Sequence, residues 1–292
     1  MIDYRKIIKS RELRLKMIKG LSFVPTKLYL RVVYFIKTGK ILHLNHPKTF
    51  CDKQNWLKIH DIHPEYTEMV DKTTVGKYVE ARLGENICFP ILGTWNHYKD
   101  IDFDKLPRQF VFKCNHDSGS VKIIRDKSKI DHKVLEEFFE TRLKENSYVN
   151  GREYPYRDIK PMIMAEKYMV PEGQGDIEDY KFFCFDGKPE ILFVATDRSI
   201  DCKFDFYDMD FNHLDIVNIH PQSGKNIPRP SCFERMKEIA SVLSRGIKFV
   251  RIDLYEIEGK VFFGEFTFFH GGGFWPMKPD EWEKKLGDLI KI

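Results

Sequence analysis

The stretch Phe249-Val250-Arg251-Ile252-Asp253-Leu254-Tyr255, followed shortly by Lys260-Val261-Phe262-Phe263-Gly264-Glu265-Phe266-Thr267, decides how this chain is read. Both runs alternate with period two, the pattern of strands whose faces differ. Alternation puts Arg251, Asp253 and Tyr255 on one face of the first strand, and Val261, Phe263, Glu265 and Thr267 on one face of the second. An odd-length turn around Glu258-Gly259-Lys260 sets Asp253 opposite Glu265 and Arg251 opposite Thr267; an even-length turn breaks that pairing. Carboxylates directly opposite each other destabilise a strand pair. A hard divalent cation between them removes the penalty. The alternative is a solvated acidic hairpin.

The 292 residues, 42% hydrophobic and 32% charged, describe a soluble globular protein able to form one large domain or two to three lobes. Six cysteines, Cys51, Cys88, Cys114, Cys184, Cys202 and Cys232, show no C-x-x-C spacing, so free thiols in a reducing cytoplasm are expected. No run approaches a membrane span and no signal-peptide pattern opens the chain. A cytoplasmic location is the expectation.

Charge is unevenly placed. Residues 1 to 40 carry eleven Lys and Arg against Asp3 and Glu12, a net of +9, so with +4 overall the remainder is −5. Apolar residues such as Ile7, Leu15, Leu28, Val32 and Phe35 are interleaved among these basic ones. The arm is suited either to the inner face of an anionic membrane or to packing on its own domain. Without a groove-reading motif or a stacking signature, nucleic acid is not an expected partner.

Along the chain, residues 1–100 read as mainly helical, with breaks at Asn45-His46-Pro47 and His63-Pro64. Strands follow at Gln109–Asn115, Val121–Arg125 and Met162–Met169, with a helix over 131–145, giving a first α+β lobe over 101–170. The run Pro171-Glu172-Gly173-Gln174-Gly175 reads as a hinge. Beyond it lie strands Asp179–Phe185 and Glu190–Thr196, a helix over 231–245 and the acidic hairpin, a second α+β lobe over 171–292. The fold class is α+β.

Lys113 ends an apolar strand just before the loop His116-Asp117-Ser118-Gly119-Ser120, whose small residues let backbone N–H groups approach phosphate. Lys181 supplies a cation from the other lobe. Each alone is compatible with an ordinary solvated lysine. In this order, a cation and loop, a strand entering a hinge, then a lysine and two acids resemble the ATP-grasp fold. The phrases Lys48-Thr49-Phe50, Trp56-Leu57-Lys58, Val70-Asp71-Lys72, Phe112 to Ser120, Glu166-Lys167-Tyr168, Asp179 to Phe185, Val250 to Tyr255 and Gly264-Glu265-Phe266-Thr267 are similar to the teichuronopeptide-biosynthesis, or TupA-like, branch of that superfamily.

The resemblance implies ATP and Mg2+ as cofactors. It implies that Lys113 and Lys181 contact ATP phosphates, that His116, Asp117, Ser118, Gly119 and Ser120 form a lid over them, and that Glu166, Lys167, Tyr168 and Met169 line the adenine pocket. Asp253 and Glu265 would hold magnesium, and Thr267 stands where many ATP-grasp enzymes have Asn, so it would be a weaker neutral ligand or none. Arg251, with Lys181, would be catalytic and face the reacting acyl group. For an anionic acceptor the residues themselves offer Arg152, Arg157 and Arg198, since guanidinium matches carboxylate. The loop His270-Gly271-Gly272-Gly273 can approach a substrate; Phe274 and Trp275 beside it are either core rings, the commoner case after a turn, or sugar-stacking ones, and His270 alone is a slender pointer to a base.

The expected activity is that of an ATP-dependent carboxylate–amine ligase acting through an acyl phosphate, joining an amino acid to a uronic-acid or polysaccharide acceptor of the bacterial cell surface. One rival is a metal-dependent glycosyltransferase using Asp208-Met209-Asp210 or Asp102-Phe103-Asp104 as a D-x-D triplet. Another is a non-catalytic membrane adaptor.

Overall fold

A computed structural model describes residues 20–21, 23–170, 177–198 and 200–292. The basic stretch 1–19 and the expected hinge at 171–175 lie outside the described residues. Among the described residues there are eight α-helices: α1 (Thr26–Thr38), α2 (Phe50–His60), α3 (Glu65–Val70), α4 (Val75–Leu83), α5 (His132–Leu143), α6 (Ser147–Gly151), α7 (Phe233–Ser244) and α8 (Asp280–Leu289). The strands are β1 (Ile91–Trp95), β2 (Phe110–Cys114), β3 (Lys122–Ile124), β4 (Ile163–Lys167), β5 (Asp179–Phe185), β6 (Lys188–Thr196), β7 (Lys203–Asp208), β8 (His213–Leu214), β9 (Val250–Ile257) and β10 (Lys260–Thr267). None of the described helices is long and apolar enough to cross a membrane.

The chain forms two compact units. One comprises the described residues of Met1–Ile62, Val149–Glu153 and Gln174–Ile292; the other comprises His63–Tyr148 and Tyr154–Gly173. The mainly helical region read over 1–100 is therefore shared between them, changing unit after Ile62.

In the second unit a four-stranded antiparallel sheet runs in the order β1-β4-β2-β3. Alternation in Phe110-Val111-Phe112-Lys113-Cys114 turns Phe110, Phe112 and Cys114 toward α5, where Leu135 and Phe139 complete a buried aromatic core. Val111 and Lys113 are left for the opposite face. Asp131 caps α5 by accepting from Val134 N at 3.1 Å.

In the first unit a six-stranded antiparallel sheet runs β10-β9-β5-β6-β7-β8. Its core face carries Phe182, Leu192, Ile252 and Leu254 and is covered by α7, whose Phe233, Met236, Ile239, Ala240 and Leu243 recur at helical spacing. Helix α2 begins with a capping box: Thr49 Oγ1 accepts from Asp52 N at 3.1 Å while Asp52 Oδ2 accepts from Thr49 N at 3.3 Å. Helix α1 packs Tyr29, Leu30, Val33 and Tyr34 against Leu42, Leu44, Cys51 and Phe274, so this part of the basic arm does pack on its own domain.

The hairpin between β9 and β10 corrects one detail of the sequence reading. Its turn is even, two residues long, with Lys260 facing Ile257 and both Glu258 and Gly259 at positive φ. A β-bulge at Gly264 takes up one residue and restores the parity, so Glu265 faces Asp253 and Thr267 faces Arg251. A Cβ at Gly264 would lie 2.8 Å from the Tyr255 ring and 3.0 Å from the Asp253 carbonyl oxygen, which explains glycine there. The bulge also moves Phe263 off the face of Glu265 and Thr267. It faces Leu254 and packs in the core against Phe266, 4.9 Å between ring centroids.

Candidate active site

The polar face of the six-stranded sheet gathers charged residues that ordinary core packing excludes. Register places Lys181 of β5 directly against Asp253 of β9, with Glu265 of β10 on the other side. Asp253 is fully buried and binds Arg251 through both carboxylate oxygens, Nε to Oδ1 at 2.6 Å and Nη2 to Oδ2 at 2.7 Å. Lys181 Nζ makes a further short contact with Asp253 and lies 2.6 Å from Asp179 Oδ2. Burial alone would raise the Asp253 carboxyl, but Arg251 and Lys181 outweigh it and hold it at about 2.

Arg251 Nη2 is the focus of the centre. Besides Asp253 Oδ2 it reaches Thr267 Oγ1 at 2.9 Å and Glu265 Oε1 at 3.3 Å, so the three residues expected to bind metal surround a single cationic nitrogen. Oxygen donors of this kind, two of them anionic, fit a hard divalent cation. Among the described residues no group of three or more His, Cys, Asp or Glu is arranged to hold a metal; a magnesium ion at this centre would have two carboxylates and a hydroxyl to rest on.

His270 fixes the guanidinium from the far side. Arg251 Nη1 donates to its Nδ1 at 3.0 Å, which leaves the ring proton on Nε2 to be donated to Asn218 Oδ1 at 2.8 Å. Asn218 in turn donates through Nδ2 to the Trp275 carbonyl at 2.7 Å. Burial, then the neighbouring Arg251, push the His270 pKa well below its ordinary value. With both nitrogens engaged, His270 is placed here as a neutral positioning group, not as a base.

Sequence reasoning missed Asp179, although its place two residues before Lys181 puts it on the same face. Its Oδ2 accepts from Tyr255 Oη at 3.0 Å and pairs with Arg198 at 3.0 Å, while its buried Oδ1 has no hydrogen-bond partner. Burial and then Asp179 raise the Tyr255 phenol well above its ordinary value. Arg198 thus joins the centre. Arg152 does not: it is buried, with its guanidinium 4.5 Å from the Tyr29 ring centroid and donating to the Leu21 carbonyl at 3.2 Å. Arg157 belongs to the other unit and pairs with Asp158, 2.9 Å from Nη2.

The glycine loop is held from below by α2. Lys58 Nζ donates to the Gly272 carbonyl at 2.7 Å and the Gly151 carbonyl at 2.8 Å, and Asn55 Nδ2 donates to the Gly273 carbonyl at 2.7 Å. Burial lowers the Lys58 pKa to about 7, against the opposing charge of Glu153. Gly271 and Gly272 both have positive φ, and Glu153 Oε1 lies 3.4 Å from where a Gly272 side chain would start. No local signal gives a role to Asn55 and Lys58 on α2, to Asn218 or to Glu153, because they reach this centre from three segments far apart in sequence. Phe274 is buried beneath Lys58 at 4.3 Å, which makes it a core ring and not a stacking surface.

In the second unit Lys113 and Glu166 come together as a short ion pair on the sheet face away from α5. Lys167 is exposed and its backbone N–H donates to the Pro90 carbonyl at 2.9 Å, while Tyr168 lies 5.6 Å from the Arg125 guanidinium and Met169 is half-buried. Of the expected lid, His116, Asp117 and Ser120 turn inward. His116 Nε2 lies 3.2 and 3.1 Å from the carbonyls of Arg142 and Glu145, Lys72 donates to the Asp117 carbonyl at 2.8 Å, and Ser120 Oγ accepts from Cys114 N at 2.8 Å. Only Ser118 and Gly119, the latter at φ +101°, stand exposed.

Both D-x-D triplets are turn formers. Asp208 accepts from the backbone N–H groups of Asp210 and Asn212 at 3.0 and 2.8 Å. Asp102 accepts from Asp104 N at 3.2 Å and pairs with Lys105 at 3.1 Å. Such Asx geometry is the ordinary occupation of these side chains.

Comparison with known proteins gives a match to the TupA-like ATPgrasp family over residues 52–291. No curated protein matches. Among solved structures, the D-alanine–D-alanine ligase of Bacillus anthracis is similar at 20% identity over 81% of this chain and 72% of that one, with a TM-score of 0.44. The corresponding Helicobacter pylori ligase is similar at 13% identity over 84% and 67%, with a TM-score of 0.45. The ATP-grasp ligase PsnB with its minimal precursor is similar at 8% identity over 78% and 61%, with a TM-score of 0.42. These likenesses are too distant to carry an argument, and the family rests on the match over residues 52–291. The chain belongs to the TupA-like ATP-grasp family.

Proposed function

We propose that this protein is an ATP-dependent carboxylate–amine ligase acting through an acyl phosphate, with a substrate from bacterial surface-polysaccharide assembly. The product class that suits it is an amide between a uronic-acid carboxylate and an amino acid, a context taken from the branch of the family alone. The observation that carries the ligase reading is Arg251, a buried guanidinium fixed at the focus of Asp253, Glu265 and Thr267 with Lys181 alongside.

A substrate carboxylate oxygen attacks the γ-phosphorus of ATP as the bond to the bridging oxygen breaks and ADP leaves. The amine nitrogen then attacks the acyl carbon, phosphate departs with the C–O bonding pair, and the nitrogen loses its proton to water. Negative charge develops first on the phosphoryl oxygens and then on the tetrahedral oxygen. Arg251 and Lys181 place two fixed positive charges beside that path, and their field stabilises it. His270 and Asn218 keep the guanidinium plane fixed. Magnesium, held by Asp253 and Glu265 with Thr267 as a weaker neutral ligand, would neutralise phosphate charge. Lys113 is assigned to ATP phosphates, and Glu166 to Met169 to the adenine pocket.

The test is to screen uronic acids with amino acids for release of ADP and phosphate, then to add hydroxylamine to enzyme, ATP and the carboxylate alone. A hydroxamate is expected. A carboxylate that supports turnover yet gives no hydroxamate overturns the acyl-phosphate route.

A further inference from the structure

Helix α1 has two apolar faces. One packs Tyr29, Leu30, Val33 and Tyr34 into the core. The other carries Leu28, Val32, Phe35 and Ile36, whose spacing lines them up in one stripe. These four are 52%, 38%, 58% and 48% exposed, and Phe23 and Ile41, at 84% and 71%, flank the helix. A contiguous exposed stripe of large apolar side chains marks an interaction surface, since scattered single ones are what a soluble surface ordinarily shows.

The charges on the helix itself have one sign; past its C-terminal end Lys40 pairs with the exposed Asp280. Lys27 and Arg31 stand exposed along one edge of the stripe, and no Asp or Glu occurs between Glu12 and Asp52. We propose that this face docks on an anionic phospholipid bilayer, with α1 lying in the plane of the interface. Leu28, Val32, Phe35 and Ile36 enter the boundary between headgroups and acyl chains, and Lys27 and Arg31 meet anionic headgroups. Charge complementarity selects this occupant. A second copy of the chain would bring Lys27 and Arg31 up to their own like charges. The preceding stretch 1–19, with seven Lys and Arg against two acids, would do the same. The inference does not depend on the ligase reading.

The experiment is co-sedimentation of the full chain with vesicles of phosphatidylcholine alone and of an equimolar mixture with phosphatidylglycerol. Binding to the mixed vesicles is expected, weakened by salt, with little binding to phosphatidylcholine alone. Leu28→Ser with Phe35→Ser, and separately Lys27→Glu with Arg31→Glu, should each weaken it on the order of tenfold or more. Because all four side chains are exposed, thermal melting should be unchanged. Failure of the wild-type chain to sediment with mixed vesicles overturns the proposal, as does equal binding to both vesicle types or undiminished binding by the Leu28→Ser, Phe35→Ser variant. A lipid-free dimer that this variant dissolves would overturn it in favour of a second copy.

Discussion

Arg251 spends every nitrogen it has: two bonds to Asp253, one each to Glu265 and Thr267, and one to His270. Lysine keeps the charge but loses the planar fork. Arg251→Lys is therefore expected to leave ATP affinity in calorimetry nearly unchanged while lowering kcat and kcat/KM together, on the order of 100-fold or more; normal turnover would remove Arg251 from the mechanism. Asp253 calls for a different variant than sequence alone suggests. Removing its charge leaves buried Arg251 with Glu265 and buried Lys181 with Asp179 as their remaining carboxylates, so Asp253→Asn should lose several kcal/mol of stability, roughly 3–5. Glu265→Gln, at the more exposed carboxylate, is the cleaner test of metal dependence. His270 gives a pH signature. Its folded pKa lies well below the ordinary 6.5, so the unfolded chain takes up the proton first and the stability from the neutral ring is lost as pH falls below that value. His270→Asn lacks this dependence. Urea titrations should thus show the stability gap between wild type and His270→Asn narrowing between about pH 7.5 and about pH 5.5; a constant gap would contradict the neutral assignment. Arg251, Asp253, Glu265 and Lys181 were legible because alternation within a strand fixes a face. The bonds of Asn218 and Lys58 were not, because their partners in this centre lie far off in sequence.

At the scale of elements, the acidic hairpin shows where pattern reading stops. Alternation marks both strands, and Glu258-Gly259 marks a turn, but a bulge leaves the hydrophobic pattern almost untouched while changing which side chains share a face. The reading therefore reached the right opposition of Asp253 and Glu265 through the wrong turn, and left Phe263 on the wrong side. Gly264→Val forces a side chain against the Tyr255 ring and the Asp253 carbonyl and should destabilise the protein by about 1–3 kcal/mol. An unchanged urea midpoint would mean that the bulge relaxes freely. Strands β1 and β7 were also missed, since Ile91-Leu92-Gly93-Thr94-Trp95 lacks clean alternation and Lys203–Asp208 is interrupted by acids.

For the whole molecule, the chain changes unit after Ile62, Tyr148, Glu153 and Gly173, so linear segments describe its units poorly. Pattern and composition have no way to register that Val149–Glu153 returns to the first unit, where Arg152 packs on Tyr29. Nucleotide binding gives a global readout of the proposal, since a ligand that binds only the folded chain raises its melting temperature by mass action. A non-hydrolysable ATP analogue with magnesium should raise the melting temperature of the wild type, and EDTA should remove most of that rise. Glu265→Gln should show a much smaller rise; one as large as that of the wild type would argue against Glu265 as a metal ligand.

The bulge at Gly264 is, in effect, one residue of slack. Deleting Gly264 leaves Phe263 against Leu254 and brings Glu265 next in line against Asp253, an unbroken ladder with no face exchanged. Losing a residue from Val261 to Phe263 instead lets Gly264 join the ladder, so the two carboxylates still meet while an aromatic leaves the core. Relatives that differ in length here are expected to lose or gain their extra residue at the bulge before they give up the opposition of the two acids.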